Sequence, residues 1–146
     1  MKALLKELLE EKGAVIHSVT IDATVADAVK KMNDERIGAV MVMDGDKLAG
    51  IFTERDVLTK VVGQEGNPRE TPVSEVMTRD IVVLKGTASV EEAMRIVTER
   101  RFRHLPVIEE GKLIGLVSSG DLTRWIVRDQ QGTIADLFDY ISGGRR

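Results

Sequence analysis

Leu4, Leu5, Leu8 and Leu9 recur at helical spacing ahead of Gly13. That spacing predicts a short amphipathic helix over residues 3–12, one that needs a surface to lie on. Residues 15–19 read as a short extended piece. Thr24 stands before a stripe of Val25, Ala28, Val29 and Met32, with Asp27 three positions on, the pattern of a capped helix. Gly38 is the predicted end of that region. Residues 39–43 are nearly all apolar, hence a strand covered on both faces, and residues 44–46 form a turn. Residues 47–52 return as the next strand, and a helix follows over about residues 54–62.

The polar stretch 64–72, with Pro68 and Pro72, reads as a linker. Then the order begins again. Residues 74–77 form a helical turn and residues 81–84 an extended piece. Ser89, with Glu92 three on, precedes a stripe of Val90, Ala93, Met94 and Val97. Residues 105–108 and 112–117 form the strand pair around a turn, and a helix occupies about residues 119–128. Beyond it, Ile134, Leu137, Phe138 and Ile141 predict one more helix with a fraying tail.

The second half repeats the first at a constant offset of 65 residues. Ile16 falls on Ile81, Val25 on Val90, Arg36 on Arg101, Gly50 on Gly115 and Asp56 on Asp121. The register runs ungapped through turns as well as elements, so the chain is an internal duplication. Its predicted parts are an N-terminal helix (1–13), a first repeat (14–65), a linker (66–73), a second repeat (74–128) and a C-terminal helix with tail (129–146).

Within each repeat one signature carries chemistry: Gly50…Thr53…Asp56 and Gly115…Ser118…Asp121. The hydroxyl sits where a strand hands over to a helix N-terminus, where free N–H groups and the helix dipole favour an anion. One turn on, a carboxylate can accept two hydrogen bonds from a vicinal diol such as a ribose. The leading Gly would let a ligand approach the backbone. The same spacing is also a capping box that only satisfies the helix's own donors, and both readings stand.

A formal charge of −3 over 146 residues gives no broad attraction to nucleic acid or to an anionic membrane. Aromatics make up only 3% of the chain, too few for a base-stacking surface. The chain has no Cys, hence no disulfide or thiolate chemistry. No stretch is apolar for the roughly 18 residues of a membrane span, and the N-terminus lacks a signal-peptide core. A cytoplasmic protein is expected. Nothing pairs a nucleophile with a base and no phosphate-binding P-loop is present, so an enzyme is not expected. His17 and His104 have no companions for a metal site. Trp125 is expected to pack the last helix on the core.

With those residues in view, each half resembles a cystathionine-β-synthase (CBS) motif, and the tandem resembles a CBS-domain pair, or Bateman module. The markers are Asp22-Ala23-Thr24-Val25…Ala28…Met32, the hairpin around Lys47-Leu48-Ala49-Gly50, Thr87-Ala88-Ser89-Val90…Ala93, Arg103-His104-Leu105-Pro106-Val107 and both signatures. The likeness is to small stand-alone bacterial CBS-pair proteins. It implies an α/β fold of two β-α-β-β-α repeats packed about a pseudo-twofold axis, with clefts between them. It further implies adenosyl ligands: AMP, ADP, ATP, NAD(H) or S-adenosylmethionine. Carried over, Asp56 and Asp121 become ribose acceptors, and Thr53 and Ser118 phosphate-side hydroxyls, with Arg55 between the first pair. Ile16 with His17, and Ile81 with Val82, would flank adenine. Arg103, His104, Leu105 and Pro106 are carried over as ligand-binding residues as well, and Arg103-His104 stand where the first half has Gly38-Ala39, so the clefts are expected to be unequal, the second serving phosphate.

Two functions follow from the resemblance. One is a regulatory sensor in which nucleotide in the clefts modulates a protein target. The other is a scaffold, a homodimer stacked through helical faces, with no obligatory ligand. Intact Asp56 and Asp121 favour the sensor.

Overall fold

The structure is a computed structural model, and it describes residues 3–13 and 15–128. The expected C-terminal helix and tail lie outside the described residues, as does Ala14. α1 (Leu5–Lys12) forms where the leucine spacing predicts it and stops at Gly13, whose φ of +87° suits glycine. β1 (Ser18–Thr20) leads into α2 (Val25–Glu35), then the hairpin β2 (Ala39–Asp44) and β3 (Lys47–Thr53). α3 (Glu54–Asp56) runs on as a π-helical segment, Val57–Val62.

α4 (Val73–Val76) follows, and then β4 (Leu84–Lys85), α5 (Val90–Arg100), β5 (His104–Glu109) and β6 (Lys112–Ser118). α6 occupies 119–128. The fold is thus the expected α/β arrangement of two β-α-β-β-α repeats. In both, the first strand pairs parallel to the second, which pairs antiparallel to the third.

The duplication extends to irregularities. The ladder shifts register between Val42 and Met43, and again between the equivalent Val107 and Ile108. α2 and α5 both end on an arginine in the left-handed region, Arg36 at φ 56° and Arg101 at φ 60°. α2 therefore stops before Gly38, the end the sequence suggests.

Each repeat has its own core. Val25, Ala28, Val40, Val42 and Phe52 centre the first; Val90, Ala93, Leu105, Val107 and Val117 centre the second. The helices ahead of the repeats are exchanged. α1 precedes the first repeat yet buries Leu5, Leu8 and Leu9 in the second core. α4, which opens the second repeat in the sequence, buries Val73 in the first, with Met77 just beyond it. Backbone bonds fix the exchange: Leu5 N donates to Ala88 O at 2.9 Å, and Val73 N to Ala23 O at 2.8 Å. The stretch that reads as a linker is equally committed, because Val25 N donates to Thr71 O and Ala26 N to Pro68 O. Each repeat alone would leave one sheet face open, and the exchanged helix closes it.

Candidate ligand cleft between the repeats

Thr53 leaves β3 in extended conformation, and its hydroxyl accepts the Asp56 N–H at 3.2 Å. Asp56 answers by accepting the Thr53 N–H on Oδ2 at 3.0 Å. Ser118 and Asp121 repeat the exchange at 3.1 and 2.8 Å. Both signatures are thus capping boxes, and the structural reading of the spacing holds. It leaves the second carboxylate oxygen of each Asp, and the rest of each hydroxyl's capacity, for other partners.

Those partners come in part from the exchanged segments and in part from the helix that follows each signature. Asp56 Oδ1 accepts from Thr78 Oγ1 at 3.0 Å, just past α4, and pairs with Lys60 at 3.0 Å. Asp121 pairs with Lys12, at the end of α1, and with Arg124, each at 2.6 Å. Both carboxylates are nearly enclosed, with side-chain exposures of 6% and 9%. Burial opposes ionisation of Asp121, but the Lys12 and Ser118 contacts outweigh it and hold the carboxyl below its ordinary value.

The signature glycines do not face a ligand. A β-carbon on Gly50 would lie 2.8 Å from Met77 Sδ, and one on Gly115 2.8 Å from Leu9 Cδ2. Their small size admits the exchanged segments instead, which replaces the ligand-approach reading.

A cleft of about 880 Å³ opens between the repeats. Gly38, Ile51, Thr53, Glu54 and Arg55 line it from the first repeat; Thr78, Ile81, Val97, Thr98, Arg101, Phe102, Arg103, His104 and Ser119 from the second. Of the residues singled out in the sequence, it brings together Thr53, Arg55, Ile81, Arg103 and His104. Asp56, Ser118 and Asp121 stand behind the wall rather than on it. Ile16 and His17 precede β1, with Ile16 40% exposed. Val82 packs on the second core, as does Trp125; Leu105 is fully buried in that core and Pro106 is buried beside it in β5.

The repeats diverge in charge where their backbones agree. Glu54 N donates to Gly38 O at 3.0 Å, and the equivalent Ser119 N to Arg103 O at 2.8 Å. The first repeat thus presents glycine with a carboxylate, and the second arginine with a hydroxyl. The Glu54 carboxyl sits 3.4 Å from where a Gly38 β-carbon would be, in ordinary contact distance. Three arginines, Arg55, Arg101 and Arg103, face one carboxylate around the cleft. Burial pushes the His104 imidazole below its ordinary value, while Asp121 and Glu54 pull the other way. Glu54 and Ser119 escape a motif search because they follow the signature hydroxyl by one position and differ between the repeats. Lys12 and Thr78 are legible only from the exchange, which no local spacing announces.

Among the described residues no helix is long and apolar enough to cross a membrane, and no cluster of His, Cys, Asp and Glu could hold a metal ion. The CBS-domain model matches residues 14–63 and 73–128. The chain is 38% identical over 130 residues to the mitochondrial CBS domain-containing protein CBSX3 of Arabidopsis thaliana, covering 86% of this chain and 63% of that one. It spans only about a fifth of another Arabidopsis relative, CBSCBSPB1. Among solved structures, a putative signal-transduction protein with CBS domains from Burkholderia ambifaria aligns with a TM-score of 0.83 at 44% identity, over 88% of this chain and 96% of that one. A hexameric CBS-CP12 protein from bloom-forming cyanobacteria aligns at 0.75 and 30% identity, over 84% and 67%. With both repeats matched, this chain belongs to the CBS-domain family.

Proposed function

We propose that the protein is a regulatory module that binds an adenine nucleotide in the cleft between its repeats and passes the occupancy to a protein target. The observation that carries the reading is the cleft wall, where Arg55, Arg101 and Arg103 stand with the hydroxyls of Thr53, Thr78, Thr98 and Ser119, and the signature carboxylates lie behind it. A space of about 880 Å³ lies within the usual range for small-molecule sites, roughly 300–1,000 Å³. Arginine forks suit phosphate oxygens, so a di- or triphosphate, or the pyrophosphate of NAD(H), fits the wall better than AMP or S-adenosylmethionine does. In this reading Asp56 and Asp121 take ribose hydroxyls, Thr53 and Ser118 stand on the phosphate side, and Ile16, His17, Ile81 and Val82 border adenine. Leu105 and Pro106 brace the strand that presents Arg103 and His104. The role is binding rather than catalysis, in a cytoplasmic setting.

A scaffold is the second reading. Its support is an apolar face shared by the helices after each signature: Leu58 and Val62 on the π-helical segment, and Val127, the equivalent of Val62, on α6, are 65%, 62% and 44% exposed. Such a repeated face suits a homodimer stacked helix on helix, consistent with oligomers among relatives. Calorimetric titration with ADP, ATP, NADH and adenosine separates the readings. Binding of a phosphate-bearing ligand, weakened in Asp56→Ala, supports the sensor. No heat from any of them leaves the scaffold.

A further inference from the structure

The exchanged segments close the two aspartates by different means. Thr78 is fixed by a two-bond backbone bridge: its N–H donates to Ile51 O at 2.7 Å, and its carbonyl accepts from Ile51 N at 2.9 Å. Lys12 has no such base. Among the described residues, α1 is tied by backbone bonds to the second repeat only around its first turn, through Leu5 to Ala88, Lys6 to Gly86 and Val90 to Ala3. Its last turn is held by Leu9 against Gly115 and by side-chain contacts. Lys12 Nζ donates to Asp121 Oδ2 at 2.6 Å and to Leu116 O at 2.8 Å. Gly13 follows at φ +87° with open space around it.

We propose that α1 is a releasable strap over the second repeat, latched by Lys12 on Asp121 and opened when a vicinal diol takes that carboxylate. The proposal rests on the nucleotide reading of the second signature. A ribose offers one O–H donor to each carboxylate oxygen. Oδ1 is held by Arg124, whose side chain is 71% exposed and free to swing aside. Oδ2 is held by the Ser118 N–H at 2.8 Å and by Lys12, so a diol that engages both oxygens while the cap stays made takes the place of Lys12. Strap and ligand then compete, and each weakens the other to the same degree. Release of the last turn also acts on the segment beyond Gly13. That segment carries His17, whose carbonyl accepts the Met41 N–H at 3.0 Å in the first repeat. Occupancy of one repeat thereby reaches the other.

The test uses the full chain as wild type, Lys12→Met and Lys12→Arg, with adenosine as probe, because adenosine has no phosphate for Lys12 to contact. Amide hydrogen exchange over residues 9–13 and adenosine affinity are both read. Lys12→Met is expected to speed exchange without ligand and to tighten adenosine about tenfold, the worth of one charge-assisted hydrogen bond. Lys12→Arg keeps both near wild type, and saturating adenosine speeds exchange in the wild type. Adenosine binding with unchanged or slowed exchange overturns the strap alone. Adenosine binding to none of the three overturns the strap, and absence of ADP, ATP and NADH binding as well overturns the nucleotide reading with it.

Discussion

Met77 Sδ lies 2.8 Å from the place where a β-carbon on Gly50 would stand, and the Thr78 carbonyl lies at the same distance. One of these neighbours is backbone, fixed by the bridge to Ile51, so it cannot yield. Gly50→Ala is expected to destabilise the fold by about 1–3 kcal/mol. At Gly115 the neighbour is the end of the Leu9 side chain, which can rotate, so Gly115→Ala costs less. Denaturant midpoints of the two variants check the order; a larger loss at Gly115 contradicts it.

Leu5 and Leu9 make the same point from the other side. They lie outside the family match, yet are 0% and 2% exposed in the second core. Leu5→Ala is expected to cost about 2–5 kcal/mol, as for any enclosed leucine. A change under about 0.5 kcal/mol in chemical denaturation would show that α1 is not part of that core.

Arg103 carries the charge difference between the repeats. Arg103→Glu is expected to abolish binding of ADP and ATP while leaving adenosine affinity unchanged, because only the phosphates lose their partner. Equal affinity of wild type and variant for ATP, in titration calorimetry, would make Arg103 a solvated surface group.

His104 and Asp121 set opposite ends of the acid response. The His104 imidazole is held below its ordinary value of about 6.5, so the unfolded chain takes up that proton first. Stability therefore falls as pH drops from about 6.5 towards the folded value, and His104→Gln flattens that stretch. The Asp121 carboxyl is also depressed. It contributes stability above the unfolded carboxyl value and loses it as pH falls through the lower, folded one. Asp121→Asn removes that second decline. Melting temperatures from pH 8 to pH 3 read both windows.

Most of the fold is legible in the sequence because the duplication tests each element against its copy. Val25 and Val90 head the same stripe, and Gly45-Asp46 and Glu110-Gly111 turn the same hairpin. The exchange of α1 and α4 is not legible, since apolar spacing shows that a helix needs a partner and not which sheet supplies it. The same limit hides the candidate site's closure. Thr53 with Asp56 is visible as a local spacing, whereas Thr78 on Asp56 and Lys12 on Asp121 join residues 22 and 109 positions apart. Arg101 and Arg103 line the cleft because α5 ends in a left-handed turn at Arg101, which no residue preference at an arginine announces.

The central claim is that adenine nucleotide is held against Asp56 and Asp121. It is tested most directly by thermal unfolding with adenosine, AMP, ADP, ATP, NAD⁺, NADH and S-adenosylmethionine, on wild type and on Asp56→Ala/Asp121→Ala. At about 100 times its dissociation constant a ligand adds roughly 2.7 kcal/mol per site, a rise of several degrees. The account predicts such a rise with a phosphate-bearing adenine ligand, lost in the double variant. No rise with any of the seven, or a rise that the double variant keeps, contradicts it.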